Sequence, residues 1–557
     1  MSDLEEIREA LEEWRKGKEG WPERRESFKT DAGIPVKDLY TPLDVEGIDY
    51  LRDIGFPGQP PFTRGVYPTM YRGRFWTIRM FSGHGTPEET NERWRLLYKE
   101  GETGFSAAVD SLTFAGVDPD QEVEGAAHEV GKEGVPLYSI RGVEAMVKDL
   151  PIDRMSVALV VEPLTSAAVT SMYFNVAKAR GLRKEQLAGT TQNDILTMTI
   201  GYIPWGSLKP ADLLKLACDL IEYCTPMKEA PRWNPINFTT YNYREGGIDA
   251  VQEIGMGLAN AVAHIEEMLR RGWKIDDFVH RLAFHLSAHR DFFEEIAKYR
   301  AARKLWYRLM KERYKPENPE AYRFRFHVQT AGCSLTARQP MVNIIRTAYQ
   351  ALEAVLGGCQ SLHTNSYDEA ICLPSEEAVR LAVRTQEVLQ EETGVGSVID
   401  PLAGSYYVEA LTRELEERIW DYFLKIEEMG GVVEALNTGW LFGEMSKAFN
   451  KRRRDQESGE EKVIGVNCYV LEEEEPTPPF RTNPRAAEIE KERLRRLREE
   501  RDNRKVAALL DQLRRVCERR ENVLPVVTEL TAAGATLGEI TSVYREVWGI
   551  WQLPFVA

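Results

Sequence analysis

The chain has 557 residues, 43% of them hydrophobic and 29% charged, with a formal net charge of −16. That length exceeds what one hydrophobic core usually covers, so a large domain with accessory parts is expected. The acidic balance argues against nucleic acid, whose phosphates need a basic surface, and no apolar run reaches the about 20 residues that span a bilayer.

In chain order, residues 1–45 read as a charged helix and a loop with Pro35 and Pro42, an N-terminal arm suited to partner contact. Its start, MSDLEEIREALEEW, is acidic and amphipathic rather than a signal peptide, so the expected location is the cytoplasm. From residue 105 short apolar runs alternate with helical stretches: FSAAVD (105–110), MSVALVV (155–161), QLAGTTQND (186–194), INFTTYN (236–242) and RLAFHLS (281–287). FRFHVQT (324–330), QSLHTNS (360–366) and GSVIDPL (396–402) complete eight strand candidates. Between them, segments such as ADLLKLACDLIEYC (211–224) carry apolar residues at helical spacing. Strands joined by helices pair in parallel, and eight repeats predict an α/β fold, a (β/α)8 TIM barrel over 46–405. A doubly wound sheet would commonly carry a phosphate-binding glycine motif, and no GxGxxG or GxxxxGK[ST] follows a strand.

After about residue 406 the strand pattern stops, and 406–557 are expected to be a helical region that contacts a small subunit. Residues 474–484 (EEPTPPFRTNP) read as a linker, and 488–516 as one long mixed-charge helix. Seven scattered cysteines form no CxxC pair, so no zinc site, no disulfide framework and no metal ligand is expected. Polar residues gather where the strands finish: Asp110, Gln192, Asn193, Asp194, Tyr241, Asn242, His285, His327, Gln329, His363 and Asn365. Singly, each reads best as a capped strand end; together they mark the rim where barrel active sites form.

Five long blocks are more specific. VYPTMYRGRFWTIRMFSGHGTPEETN (66–91), LAGTTQNDIL (187–196), HVQTAGCSLTARQP (327–340), GGCQSLHTNSYDEAICLP (357–374) and VIDPLAGSYYVE (398–409) resemble the adenosylcobalamin-dependent acyl-CoA mutases. These are methylmalonyl-CoA mutase and its isobutyryl-CoA and 2-hydroxyisobutyryl-CoA relatives. The resemblance implies a barrel threaded by acyl-CoA and capped by cobalamin, with a radical that exchanges a group between neighbouring carbons. The cofactor performs the hard step, and the protein positions reactants and excludes water. In that family cobalt is held by a histidine in a DxHxxG motif, which no histidine here matches. The resemblance therefore implies a separate cobalamin-binding small subunit, in a heterodimer or heterotetramer, and extends the expected partners to a GTPase-type mutase chaperone.

Carried over by position, Tyr67, Thr69, Met70, Arg74, Thr77 and Arg79 match the segment that contacts CoA, its arginines suited to phosphate. Phe81, Ser106, Thr190, Gln192, Tyr202, Arg232, Asn234, Arg281 and Gln360 match the substrate channel. Tyr241, Asn242, His327 and Gln329 match residues beside the reacting acyl group, and Glu245, Gly332, Asn365 and Glu369 match contacts to cobalamin or its adenosyl group. Methylmalonyl-CoA mutase has a tyrosine where this chain has Phe81, and at 202 an arginine that pairs with the substrate carboxylate. Tyr202 offers no charge, and a buried carboxylate without a partner is costly. Phe81 matches isobutyryl-CoA mutases; Ala108 stands where 2-hydroxyisobutyryl-CoA mutases have an aspartate. Asn242 replaces a histidine that hydrogen-bonds the thioester; it can still donate but not act as an acid. Ala158 and Val160 replace two channel hydroxyls. The expected substrate is a short, branched, non-dicarboxylic acyl-CoA; the alternatives are methylmalonyl-CoA and a non-catalytic acyl-CoA-binding paralogue.

Overall fold

Ten short strands, all paired in parallel, make two five-stranded sheets in the computed structural model, which describes residues 4–121, 126–197, 206–225, 232–474 and 477–552. They are β1 (Thr77–Ile78), β2 (Phe81–Ser82), β3 (Gly104–Ala108), β4 (Ser156–Val160) and β5 (Ala188–Gln192), then β6 (Arg232–Asn234), β7 (Ile236–Thr239), β8 (Leu282–Ala288), β9 (Phe326–Thr330) and β10 (Ser361–His363). One sheet has the order β1-β10-β9-β8-β7, the other β2-β3-β4-β5-β6. Two runs of chain serve both sheets. Thr77 to Ser82 supplies β1 and β2, and Arg232 to Thr239 supplies β6 and β7 across Pro235, which has no N–H for a ladder. This parallel α/β architecture is compatible with a TIM-barrel-like mutase.

Side chains alternate across each strand, because successive residues point to opposite faces. On β4, Val157 and Leu159 join the main hydrophobic core, while Ala158 and Val160 face a cavity. On β3, Phe105 and Ala107 are core and Ser106 faces the cavity; Phe105 stacks on Trp94 at 4.8 Å. Register fixes which cavity residues share a level: Phe81, Ser106, Ala158, Thr190 and Asn234 are neighbours in one sheet, and His285, His327 and Ser361 in the other.

The connecting helices start where their sequences say they should. Proline opens Pro87–Lys99, Pro163–Ala179 and Pro210–Cys224, where its missing N–H costs nothing. Thr86 with Glu89, and Asp249 with Gln252, close capping boxes on Pro87–Lys99 and Ala250–Arg270. The arm's helix Leu4–Lys18 buries none of its residues. Further along the arm, Asp31 lies 3.3 Å from His289 Nδ1 and the Ala32 N–H donates to Glu294, so this part of it is tied to the body. Tyr406–Glu428 contributes Leu411, Leu415, Ile419, Phe423 and Ile426 to the main core, and Leu524–Ala532 and Leu537–Trp548 pack on Pro163–Ala179. Among the described residues no helix is long and apolar enough to cross a membrane.

Three expectations need correction. The run 396–402 is no strand but a series of turns: Asp400 adopts φ of +49°, and its carboxylate is tied to the buried Arg300 guanidinium. The strand pair at 77–82 was read as a binding segment only. The helix expected over 488–516 is two, Ala486–Glu500 and Asn503–Glu518, because Asp502 caps the second through the N–H groups of Arg504 and Lys505.

Candidate active site

The cavity between the sheets measures about 240 Å³ and takes wall residues from both. Thr77, Arg79, Phe81, Ser106, Thr190, Gln192, Asn234, His327, Gln329 and Gln360 all line it, as does the exposed Tyr67. Asn234 donates to Thr190 Oγ1 at 3.2 Å. Gln360 is spent on the backbone, accepting from the Phe326 N–H at 2.8 Å and donating to the Gly358 carbonyl at 2.9 Å. Arg79 donates to the Phe105 carbonyl at 2.6 Å and to the hydroxyl of Ser156, the first residue of β4. Burial pushes its pKa down to about 10, and Glu102 offsets only part of that. A cation held there by neutral acceptors is suited to an anionic or strongly dipolar ligand.

The opposite, C-terminal half is built from imidazoles. His327 shares a 2.7 Å hydrogen bond between Nδ1 and Ser361 Oγ, and its ring meets His285 edge to face at 4.6 Å. His285 in turn stacks on Tyr241 at 5.2 Å, with only 8° between the rings. His363 Nδ1 accepts the Phe81 N–H at 2.8 Å. Burial depresses all three, His285 to about 3, His363 to about 4 and His327 well below its usual value, so each is neutral near pH 7. Phe81, Ala158, Val160, Gln192 and Gln329 complete this half, which is therefore uncharged.

Beyond it lies a cluster at the strand ends. The Gly332 N–H donates to the Tyr241 hydroxyl at 3.4 Å, the Cys333 N–H to Glu245 Oε2 at 2.6 Å, and Gln329 Nε2 to Asn365 Oδ1 at 3.2 Å. Asn365 is locked by donating to the Thr330 carbonyl at 2.9 Å. A Cβ on Gly332 would lie 3.0 Å from Glu245 Oε2, 3.1 Å from Asn365 Nδ2 and 3.2 Å from the Tyr241 oxygen, so only glycine leaves this cradle open. Glu245 Oε1 is buried with no partner among the described residues. Burial pushes Glu245 up to about 7, and burial together with the neighbouring Glu245 does the same to Glu369.

Other expected residues lie elsewhere. Thr69 is exposed, while Met70 is buried against Gly65 and Gly358. Arg74 lines a surface groove with Phe75 and Arg384, and Arg232 is exposed at the start of β6. Arg281 sits just before β8, its pKa lowered by burial and then by Arg325. Asn242 is half-buried on the short helix Tyr241–Glu245 and does not line the cavity; the expected strand end at 242 is already helix. Tyr202 lies outside the described residues. Asp110 and Asp194 are structural: Asp110 caps Ser111–Ala115 and accepts from Tyr138, and Asp194 accepts from Thr197, Thr239, Tyr243 and Asn260. Sequence reasoning missed Asn237, Arg325 and Ser361 on the cavity wall and read His285 only as a strand-end residue. Strict alternation along β7, β9 and β10 would have placed Asn237, Arg325 and Ser361 on the inner face with Thr239, His327 and His363.

Known proteins resemble this chain along nearly its whole length. The methylmalonyl-CoA mutase family profile matches residues 29–550. The 2-hydroxyisobutanoyl-CoA mutase large subunit of Aquincola tertiaricarbonis is 41% identical over 95% of this chain and 94% of its own length. A methylmalonyl-CoA mutase of Rhizobium meliloti is 39% identical over 94% of this chain and 72% of its own length, and the human mitochondrial enzyme 36% identical over 94% and 68%. With a cavity between the sheets, a rim of polar strand ends and this continuous likeness, the chain belongs to the methylmalonyl-CoA mutase family, whose members are isomerases.

Proposed function

We propose that the chain is the large, acyl-CoA-binding subunit of an adenosylcobalamin-dependent mutase that rearranges a short, branched acyl group bearing no second carboxylate. The two sheets are then halves of one eight-stranded (β/α)8 barrel over 46–405, in which Thr77–Ser82 and Arg232–Thr239 are each a single kinked strand. The arm of residues 1–45 and the helices of 406–557 serve as contacts for a small subunit.

The observation that carries this reading is the polarity gradient of the cavity. Its two arginines, Arg79 and Arg325, lie toward the N-terminal strand ends, near Tyr67, where a CoA chain would enter. The acyl group would lie at the other end among Phe81, Ala158, Val160, Gln192, Gln329 and the neutral His285 and His327. A free carboxylate there would find no cation among the described residues, and tyrosine rather than arginine stands at position 202. Gln192, Gln329 and His327 position the acyl group. Asn242, whose amide has no hydrogen-bond partner among the described residues, is available to the thioester from the rim.

The open cradle at Gly332 and the unpartnered Glu245 oxygen fit a polar, hydroxyl-bearing group such as the adenosyl end of adenosylcobalamin, with Asn365 and Glu369 beside it. The bound cofactor supplies the radical chemistry; the chain orients the acyl group and excludes water from it. A separate chain that ligates cobalt is supported by a relative named as a large subunit.

Calorimetric titration of the purified chain tests the substrate class. Isobutyryl-CoA should bind at least about tenfold more tightly than methylmalonyl-CoA, because an unpaired buried carboxylate costs several kcal/mol. Equal or tighter binding of methylmalonyl-CoA would overturn the non-dicarboxylic reading.

A further inference from the structure

Among the described residues that line the cavity, His285 carries an imidazole nitrogen that no protein group satisfies. Its side chain is 7% exposed, and Nε2 is buried without a hydrogen-bond partner among the described residues. The ring is not loose. Tyr241 stacks on one face, His327 meets it edge to face, and Gln329 hydrogen-bonds it. Backbone register also fixes it, with His285 opposite Thr239 on β7 and His327 on β9. A buried polar nitrogen left unpaired costs about 1–3 kcal/mol, so a site that keeps one, held in place on three sides, is built for a ligand atom.

We infer that His285 Nε2 is a hydrogen-bond donor to the thioester carbonyl oxygen of the bound acyl-CoA, and so a substrate-binding residue of this enzyme. The inference rests on the acyl-CoA reading given above and deepens it. A neutral imidazole carries one N–H and one bare nitrogen. An acceptor presented to Nε2 selects the tautomer that carries the ring proton there, and His285 is one of the residues that line the cavity. The acceptor that every acyl-CoA carries next to its acyl group is the thioester oxygen. Ala158 and Val160, on the other sheet, offer that oxygen no hydrogen bond.

The test compares two ligands on the full chain: isobutyryl-CoA and its S-isobutyl thioether analogue, in which the carbonyl is a methylene. The parent should bind the thioester about tenfold more tightly than the thioether, the scale of one hydrogen bond in a dry site. His285→Phe keeps the ring volume and the stack on Tyr241 but removes the donor; the preference should fall to about twofold. His285→Gln should retain most of the preference, and affinity for CoA alone, measured on every variant, should stay unchanged. An undiminished thioester preference in His285→Phe overturns the proposal and leaves the acyl-CoA reading intact. A parent that binds neither ligand overturns both. A preference lost only for a 2-hydroxyacyl-CoA, with isobutyryl-CoA unaffected, would assign His285 to an acyl hydroxyl and also contradicts the proposal.

Discussion

Glu245 and Glu369 are carboxyls that burial holds near pKa 7, against a usual 4.5, at the rim where a cofactor would meet the substrate. The sign of their effect on stability follows from proton binding. Between pH 4.5 and 7 the folded chain keeps protons that the unfolded chain has released, so their contribution is full below about 4.5 and declines as pH rises through 7. Glu245→Gln mimics the protonated form and can still accept from the Cys333 N–H. The urea midpoint of this variant should therefore fall less steeply between pH 5 and 7 than that of the parent. An identical slope would mean that Glu245 is ionised throughout this range.

At the scale of elements, the turns at 396–402 show a buried ion pair overriding local propensity. Ser397, Val398 and Ile399 read as strand, yet Arg300 reaches out of Phe292–Leu309 to bind both Asp400 and Glu409, while Arg72 donates to the Ser397 carbonyl at 2.6 Å. All three charged side chains of the Arg300 group are nearly or wholly buried. Arg300→Met takes the cation from Glu409, leaves Asp400 only Arg64 at 3.4 Å, and should cost about 3–5 kcal/mol in urea unfolding. Arg72→Ala, at an exposed contact, should cost less than about 1 kcal/mol, and equal costs would remove the ion pair as the cause. The first strand was hidden for the opposite reason. Thr77, Arg79 and Phe81 face the cavity while Ile78 and Met80 enter a small core with Leu97 and Val383. Its period of two is visible in the sequence, but an inner face made for a ligand lacks the β-branched run that flags a strand. The seven runs between 105 and 366 were legible because their outer faces are ordinary core. The cavity residues of 66–91 are legible only through family resemblance, and His285 reads singly as a capped strand end because a histidine there is more often a satisfied one.

Across the whole molecule, segments near both ends of the chain are tied to the body around the sheets. Residues 28–36 of the arm are pinned at Asp31 by His289, with Arg244 at 4.0 Å. At the far end, Arg545 donates to the carbonyls of Gly116 and Gly206, and Thr536 to Asp118, so the last helix braces the loops after β3 and β5. Loops fixed from outside keep the cavity shape when the chain is empty, which is what enclosing a reactive acyl group requires. The measurement that bears most directly on this is turnover. The chain, adenosylcobalamin and a cobalamin-binding small subunit are combined, and isobutyryl-CoA and methylmalonyl-CoA are each followed to their isomers. Isobutyryl-CoA should be rearranged with kcat/KM at least about tenfold above methylmalonyl-CoA, and neither should react without the small subunit. Tight binding of acyl-CoA with no isomer from either ester, or a preference for methylmalonyl-CoA, would contradict it.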